Sequence, residues 1–222
     1  MKIITASTKI EDITPDPLKS IEAAARVCYQ SIPKDESSED FIRRLIKRGH
    51  MTPLEMAHMR VRVICDRGVS HELVRHRLCS FNQESTRYVW YDGEMEFIRP
   101  VWFGPDSFPP GVYKEENDFE TATGSIEELY WIRLMWGAEK TYQFLIDKEI
   151  VGKQCWTPEQ ARSVLPNSLK TELIMTANLR EWMHIFKLRC SPAAHPQMRE
   201  IMIPLREKAI KQIPSIFETI GE

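Results

Sequence analysis

The sequence has little glycine and few cysteines, and it has no long apolar run. Its 9 glycines lie at least seven residues apart, which excludes a Gly-x-Gly-x-x-Gly turn and a P-loop. The two closest of its 5 cysteines are 14 residues apart, which argues against a zinc knuckle and a disulfide framework. We therefore expect a reducing, cytoplasmic setting, and we expect any bound nucleotide to be held without a glycine-rich loop.

Membrane and secretion signals are also missing from the sequence. No stretch approaches the roughly 20 apolar residues of a membrane span. The first residues, MKIITASTKIEDITPD, lack the apolar core of a signal peptide. We expect neither a membrane partner nor export.

The charge balance is close to neutral, with 30 Lys+Arg against 32 Asp+Glu and a net charge of −2. This balance excludes a globally basic surface that would coat nucleic acid, although it allows a local basic site. The 222 residues, 42% of them hydrophobic, are typical of one globular domain with elaborations, or of two small ones. Neither disulfides nor metals are needed to stabilise a core of this size.

Apolar spacing predicts few strands and many helices. The clearest strand is His58–Cys65, in which Met59, Val61, Val63 and Cys65 alternate with polar residues. Strands are predicted over Lys2–Thr5, His58–Cys65 and Glu94–Ile98, and an irregular loop over Trp102–Asn117. Helices are predicted over Pro17–Gln30, Ser38–Lys47, Ser70–Arg77, Ser125–Glu149, Thr157–Val164, Thr171–Arg189 and Pro196–Lys211. These elements predict an α+β fold, with a mixed or antiparallel sheet flanked by helices and a helical C-terminal half.

The most polar stretch of the chain is Arg75–Tyr88, which holds three arginines, one histidine and several hydroxyl and amide side chains. Guanidinium forks and hydroxyl groups are the usual partners of phosphate oxygens. A solvated basic loop is the plain alternative, because short basic runs are common on surfaces. A second alternative is a clamp for nucleic-acid phosphates.

Within this stretch, Arg75-His76-Arg77 is followed after seven residues by Ser85, which resembles the signature of the flavin-dependent thymidylate synthases, the ThyX family. Other segments resemble that family in the same order along the chain. They are Ala25–Ser31, Gly49–Glu55, Ala161–Pro166, Asn178–Arg180, Leu188–Arg189 and His195–Gln197. The resemblance extends from about residue 20 to about residue 200, and it implies one synthase domain over residues 1–222.

The resemblance implies an enzyme that methylates dUMP to dTMP without a cysteine nucleophile. Methylenetetrahydrofolate is the implied carbon donor, and NADPH is the implied reductant, acting through bound FAD. The implied assembly is a homotetramer with shared active sites. Two alternatives remain: a nucleic-acid-binding module, which the net charge opposes, and a flavin- and folate-dependent methyltransferase of another uracil, such as one in RNA.

The resemblance also implies roles for individual residues. The catalytic candidates are Arg189, at the uracil edge, His50, at the flavin face, and Ser85. Flavin contacts are implied for Arg75, His76, Arg77, Asn82, Gln83, Asn178, Arg180, Thr52, Glu55 and Ser31, and substrate contacts for Ser85, Arg87, Glu84, Gln83, Glu72, Arg162 and Arg189. Metal binding is not expected, because His71 and His76 are five residues apart rather than four.

Several of these residues have simpler interpretations. Asn178 and Arg180 fit the polar face of an amphipathic helix, His50 fits a helix end beside Gly49, and Arg189 fits the C-terminal turn of a helix. Cys79 is interpreted as a small buried residue rather than a nucleophile.

Two positions differ from the family pattern. Gln83 stands where many members have Glu beside the uracil ring, and Glu72 stands near where many have Gln or a different polar residue.

Overall fold

The fold was analysed in a computed structural model that describes residues 1–28, 30–32, 36–115, 117–120, 124–150, 152 and 154–218. Tyr29, in the predicted helix Pro17–Gln30, and Glu116, in the predicted loop, lie outside the described residues. The strands are β1 Lys2–Ile4, β2 Ser7–Ile13, β3 His58–Asp66, β4 Ser80–Gln83, β5 Glu96–Ile98, β6 Gly111–Val112 and β7 Lys170–Asn178. The helices are α1 Pro17–Val27, α2 Ser38–Lys47, α3 Arg67–Leu73, α4 Asn117–Glu120, α5 Ile126–Ile146, α6 Pro158–Ala161, α7 Leu179–Arg189, α8 Pro196–Gln212 and α9 Pro214–Phe217, with 3-10 turns at Thr52–Met56 and Arg162–Val164. The predicted α+β class is confirmed.

The chain divides into two compact units, and each contains several segments of the sequence. Unit 1 comprises Met1–Ala6, Ile64–His71 and Gln83–Glu172, and unit 2 comprises Ser7–Val63, Glu72–Asn82 and Leu173–Glu222. The polar stretch Arg75–Tyr88 therefore begins in unit 2 and ends in unit 1. The single synthase domain stays a prediction.

Unit 1 is built on a small sheet and on the long helix α5. The sheet has the order β5-β1-β6, and β1 pairs parallel with β5 and antiparallel with β6. Ser125 caps α5 in a reciprocal capping box with Glu128, and the sequence predicts this cap because a serine precedes a glutamate by three residues. Aromatic and aliphatic side chains of α5 and the sheet, among them Phe97, Ile132 and Tyr142, form one buried core.

Unit 2 contains most of the second sheet, whose order is β2-β3-β7-β4. In β3, Met59, Val61 and Val63 are fully buried, and this alternation is what the sequence predicts. Helix α7 packs against this region, since the indole Nε1 of Trp182 donates to the backbone carbonyl of Met59 at 2.9 Å. Helix α8 packs against β2 and α7.

One predicted helix is wrong in its first half. The segment Thr171–Arg189 contains strand β7 up to Asn178, and only then helix α7. Along β7 the odd-numbered residues, from Thr171 to Ala177, are buried and the even-numbered ones are half-buried. Such a period of two is satisfied by a strand and not by a helix. A strand therefore also lies in the half that was predicted to be helical.

Other predicted elements are present with shifted ends. Helix α2 has the predicted bounds, whereas the predicted helix Ser70–Arg77 is found at Arg67–Leu73. Strand β2 was not predicted, and the predicted irregular loop contains the short strand β6. No helix among the described residues has the length and apolarity to cross a membrane.

Candidate active site

Arg189, the last residue of α7, is held within unit 2 by three hydrogen bonds. Its Nε donates to Nε2 of His76 at 3.0 Å, and its Nη1 donates to Oε2 of Glu72 at 2.7 Å. Its Nη2 donates to the backbone carbonyl of Glu72 at 3.1 Å. A guanidinium has five N–H donors, so two are left for a ligand. The structure thus brings two other predicted site residues, Glu72 and His76, to the oriented guanidinium of Arg189.

His76 is the buried partner in this group, with 6% of its surface exposed. Burial, and then the nearby Arg189 guanidinium and His184, lower the pKa of His76 to about 4. The imidazole is therefore neutral at neutral pH. Because its Nε2 accepts from Arg189, its proton lies on Nδ1, which is 3.5 Å from Oε1 of Glu181.

The ligand atoms of His76, Glu181 and His184 lie within 4.8 Å of one another, a spacing that a metal ion could use. The proton on His76 Nδ1 argues against this use, because that nitrogen then offers no lone pair to a metal. The contact from Arg189 would have to break before the tautomer could change. We therefore interpret the cluster as polar side chains packed beside Arg189 rather than as a metal site.

Glu181 and His184 are further candidate site residues, of which the sequence interpretation did not single out either. Glu181 is buried, and desolvation raises its pKa. The two residues are three positions apart on α7 and so lie on one face of the helix. That spacing beside Arg180 is the signal that could have found them.

The start of α7 positions two predicted flavin residues, Asn178 and Arg180. The Oδ1 of Asn178 accepts from the backbone N–H of Glu181 at 2.8 Å and caps the helix. The Nη1 of Arg180 donates to Oε1 of Glu55 at 2.6 Å. The cap turns the chain from β7 into α7, and the ion pair brings a third predicted residue beside the other two.

A cavity of about 910 Å³ lies along α7 within unit 2. This is within the usual size range of small-molecule and cofactor sites. Its lining combines basic, acidic and apolar side chains: Met51, Glu55, Leu78, Asn178, Arg180, Glu181, Met183, His184, Phe186, Lys187, Cys190, Ser191, Pro192 and Arg206. Three predicted flavin residues, Glu55, Asn178 and Arg180, are among them.

Other predicted flavin residues lie on the surface of unit 2. Arg75 and Arg77 are exposed, and neither side chain has a partner among the described residues. Asn82 is exposed on β4, Thr52 opens the first 3-10 turn, and Ser31 is exposed near the end of α1. The structure does not join these five to the Arg189 network.

His50 lies just beyond the C-terminus of α2. The backbone N–H groups of Gly49 and His50 donate to the carbonyls of Ile46 and Leu45, and Gly49 has a φ of +74°. This is a Schellman-type helix end, in which glycine avoids the steric cost of a left-handed backbone. The helix-end interpretation of His50 is confirmed, and the exposed imidazole remains available to a ligand.

The predicted phosphate residues lie in unit 1, with Ser85 and Arg87 on the turn after β4 and Arg162 at the end of α6. The Oγ of Ser85 accepts from the backbone N–H of Arg87 at 3.3 Å. The Nε of Arg87 is 2.9 Å from Oε1 of Glu159 on α6. Arg162 is exposed at the end of α6. The ion pair therefore places Arg87 against the segment that carries Arg162.

The carboxylate of Glu84, predicted to contact the substrate, already has two partners in unit 1. It accepts from Nζ of Lys170 at 2.9 Å and from the hydroxyl of Tyr91 at 2.5 Å. Burial, and the hydrogen bond to Glu84, raise the pKa of Tyr91. The neighbouring Gln83 donates through Nε2 to Ser70 and Thr171, so the two consecutive side chains have separate partners.

Cys79 lies in the sequence between Arg75-His76-Arg77 and Ser85, and it is half-buried. Burial, and to a lesser degree the Glu181 carboxylate, raise the pKa of Cys79 to about 12. A thiol with so high a pKa is protonated at neutral pH and is a poor nucleophile. This agrees with the interpretation of Cys79 as a small packed residue.

Comparison with known proteins identifies the family. Residues 9–215 match the model of Thy1, described as Thymidylate synthase complementing protein. The chain belongs to the Thy1 family. A Thy1 relative described as Flavin-dependent thymidylate synthase, from Geobacter sulfurreducens, is 33% identical over 217 residues, covering 94% of this chain and 84% of the relative. Another relative of that description, from Clostridium tetani, is 28% identical over 236 residues, covering 99% and 88%.

A solved structure is similar over almost the whole chain. It is described as a UMP/dUMP methylase PolB from Streptomyces cacaoi bound with 5-Br UMP. The TM-score is 0.72 and the identity 25%, with 98% of this chain and 95% of that chain covered. The resemblance noted from Arg75-His76-Arg77 and Ser85 is therefore confirmed at the level of family and fold.

Proposed function

We propose that this Thy1-family chain catalyses the reductive methylation of dUMP to dTMP. Methylenetetrahydrofolate supplies the carbon, and NADPH supplies a hydride through bound FAD. Membership of the family and the descriptions of the relatives support the reaction. The observation that carries the proposal is the oriented Arg189 guanidinium, which keeps free N–H donors and is joined to His76 of the motif.

The residues around the cavity in unit 2 fit a flavin dinucleotide. Arg180, Lys187 and Arg206 are cationic donors suited to a diphosphate, and Met51 and Leu78 offer apolar surface to a ring. We propose that Asn178, Arg180 and Glu55 hold FAD there. Further flavin contacts are proposed for Arg75, Arg77, Asn82, Thr52 and Ser31. His76, which is buried, is also proposed to belong to the flavin site. FAD supplies hydride-transfer chemistry when bound.

Arg189 is proposed to donate to a uracil carbonyl oxygen. Negative charge develops on the carbonyl oxygens as C5 becomes nucleophilic, and a preorganised N–H donor stabilises it without reorganisation. The contacts from His76 and Glu72 hold the guanidinium in one orientation before substrate binds. No cysteine is needed for this step, in keeping with the raised pKa of Cys79.

The 5′-phosphate of dUMP is proposed to bind Ser85, Arg87 and Arg162. The exposed guanidinium of Arg87 keeps donors beyond the one near Glu159, and a fork can bind two phosphate oxygens at once. His50 is proposed to face the flavin ring where folate or NADPH approaches.

Self-association as a homotetramer with shared active sites is part of the proposal. Helix α5 exposes a stripe of apolar residues at a spacing of four: Ile126, Tyr130 and Leu134 are 65%, 65% and 64% exposed. An exposed stripe of this kind is typical of an interaction face. We also propose a cytoplasmic setting, which suits five cysteines that are all free thiols.

Mixing two inactive variants tests whether active sites are shared. We expect Arg87→Ala and Arg189→Ala proteins to recover activity when they are unfolded and refolded together, because mixed assemblies then contain some intact sites. No recovery would mean that both residues act from one chain.

Tritium release from C5-labelled dUMP tests the reaction itself. We expect release that depends on methylenetetrahydrofolate and on flavin in the purified protein. Flavin binding without tritium release would overturn the dTMP assignment. UMP is a second candidate substrate, because the similar structure is described as a UMP/dUMP methylase, and a parallel assay with labelled UMP separates the two.

A further inference from the structure

Gln83 lies at the end of β4, within a buried hydrogen-bond network of unit 1. Its Nε2 donates to Oγ of Ser70 at 3.0 Å and to Oγ1 of Thr171 at 3.1 Å. Ser70 and Thr171 are both fully buried. Both N–H bonds of the side-chain amide are therefore used inside the protein.

The hydroxyl proton of Ser70 determines which way this amide points. The Oγ of Ser70 donates to the backbone carbonyl of Arg67 at 2.9 Å. A serine hydroxyl has one proton, so Ser70 can only accept from Gln83. The group facing Ser70 must then be the NH2 of Gln83 and not its oxygen. Reversing the amide would place Oε1 against the oxygen lone pairs of Ser70.

The carbonyl end of Gln83 is consequently the free end. Oε1 accepts no hydrogen bond within the part of the chain that the structure describes, and Gln83 is half-buried rather than enclosed. A glutamine fixed in this way presents an acceptor and no donor to a bound molecule. Ser85, proposed to bind phosphate, follows two residues later in the same unit.

We propose that Gln83 is a specificity-determining residue that accepts the N3–H of uracil and thereby rejects cytosine. This inference rests on the proposed function and on the substrate contact that the family resemblance implies for Gln83. Uracil carries a hydrogen on N3, whereas cytosine carries a lone pair there. Oε1 attracts the N3–H of uracil and repels the N3 lone pair of cytosine. If the amide turned round to donate to cytosine, it would lose its hydrogen bond to Ser70 and place Oε1 against the lone pairs of that hydroxyl.

The residue type at position 83 matters for this selection. A carboxylate at position 83 would have no N–H to give, so Ser70 would have to turn its proton away from Arg67. The amide keeps both contacts and stays neutral at every pH. Thymine has the same N3–H as uracil, so Gln83 does not separate product from substrate.

The test measures dUMP and dCMP affinity on the flavin-loaded protein by equilibrium dialysis. We expect the unmodified chain to bind dUMP at least about 100-fold more tightly than dCMP. The double variant Ser70→Ala, Thr171→Val removes both hydrogen bonds that Gln83 Nε2 donates, so the amide is free to turn. We expect dCMP affinity to rise so that the ratio falls about 10- to 30-fold, with dUMP affinity changed less than about threefold.

Two further variants complete the experiment. Gln83→Met keeps the length of the side chain without its polar atoms, and it should lower dUMP affinity about 10-fold with little change for dCMP. It stands in for the double variant if that protein does not fold. Thr176→Val makes the same Thr-to-Val change on the other face of β7, and it should leave the ratio unchanged.

The outcomes separate this inference from the proposed function. A ratio that stays constant in both the double variant and Gln83→Met, while the unmodified protein prefers dUMP, overturns the role of Gln83 alone. Binding of neither nucleotide by the unmodified flavin-loaded protein overturns the proposed function, and the inference with it.

Discussion

Arg189 and Glu72 are joined at two points, because Nη1 of Arg189 donates to Oε2 of Glu72 and Nη2 donates to its backbone carbonyl. The first contact depends on the glutamate side chain, whereas the second does not. Glu72 therefore both orients Arg189 and offsets its charge. This pairing explains how a carboxylate can be accommodated beside a guanidinium that is proposed to bind an anionic nucleotide.

We expect Glu72→Gln to strengthen dUMP binding about two- to fivefold. The amide oxygen can still accept from Nη1, while loss of the negative charge leaves Arg189 more attractive to an anionic nucleotide; partly exposed ion pairs of this kind are worth up to about 1 kcal/mol. Calorimetric titration with dUMP measures the change. Glu39→Gln, which removes an exposed ion pair with Arg43 on α2, is the control, and weaker dUMP binding in Glu72→Gln would contradict this account.

Arg87→Lys should lower dUMP affinity about 10-fold, because lysine keeps the charge but lacks the planar fork. Flavin content should be unchanged, since Arg87 is proposed to bind phosphate. Nucleotide titration and the visible flavin absorbance measure the two effects separately. Arg133→Lys, an exposed position on α5, is the matched control. Loss of flavin together with nucleotide would assign Arg87 to the flavin site instead.

Cys79→Ala should retain activity within about twofold and cost at most about 1 kcal/mol of stability. The reason is that a thiol with a pKa of about 12 is not ionised at neutral pH. Steady-state turnover and urea unfolding provide the two measurements. A loss of several orders of magnitude in turnover, without a loss of flavin, would show instead that Cys79 is a nucleophile.

The stability of the protein should depend on His76 below neutral pH. Its pKa is about 4 in the folded chain against an ordinary 6.5, so the unfolded chain binds more protons between these values. The free energy of unfolding contributed by this group therefore falls as the pH is lowered from about 6.5 toward 4. Urea unfolding at a series of pH values should give a flatter profile for His76→Asn than for the unmodified protein. His58→Asn, at an exposed histidine, is the control, and parallel profiles for His76→Asn would count against a neutral, buried His76.

Leu134→Glu should shift the protein toward smaller species in sedimentation velocity. Leu134 is 64% exposed at the C-terminal end of the apolar stripe of α5, and a charge there is costly to bury in an interface. Ile203→Glu, at an exposed apolar position of α8 (39%), is the matched control. An unchanged sedimentation coefficient for Leu134→Glu would remove α5 from the proposed interface.

Local features were the most predictable parts of the fold. Helix α2, the capping box at Ser125 and the burial of alternate residues in β3 follow from residues close in sequence, because capping and amphipathic periodicity act over a few positions. Strand β7 was mistaken for a helix, since Thr171 on its buried face and Ile174 on its half-buried face blur the alternation of apolar and polar residues. Its strand character depends on neighbours such as β3 and β4, which are distant in the sequence.

The candidate site shows the same division. The order and spacing of Arg75-His76-Arg77, Ser85 and Arg189 were enough to indicate the family. The partners of these residues were not predictable: Arg189 meets Glu72 across 117 positions, and Glu181, 3.5 Å from Nδ1 of His76, had not been considered.

The sequence by itself determined the family, the α+β class and the residue types available for flavin and phosphate. Only the tertiary structure decided that Arg189 lies against a neutral His76, that Glu84 is occupied by Lys170 and Tyr91, and that the amide of Gln83 points one way. The physical reason is that motifs record which groups are present along the chain. Protonation states, tautomers and amide orientations are set by buried neighbours, which the fold brings together from distant positions.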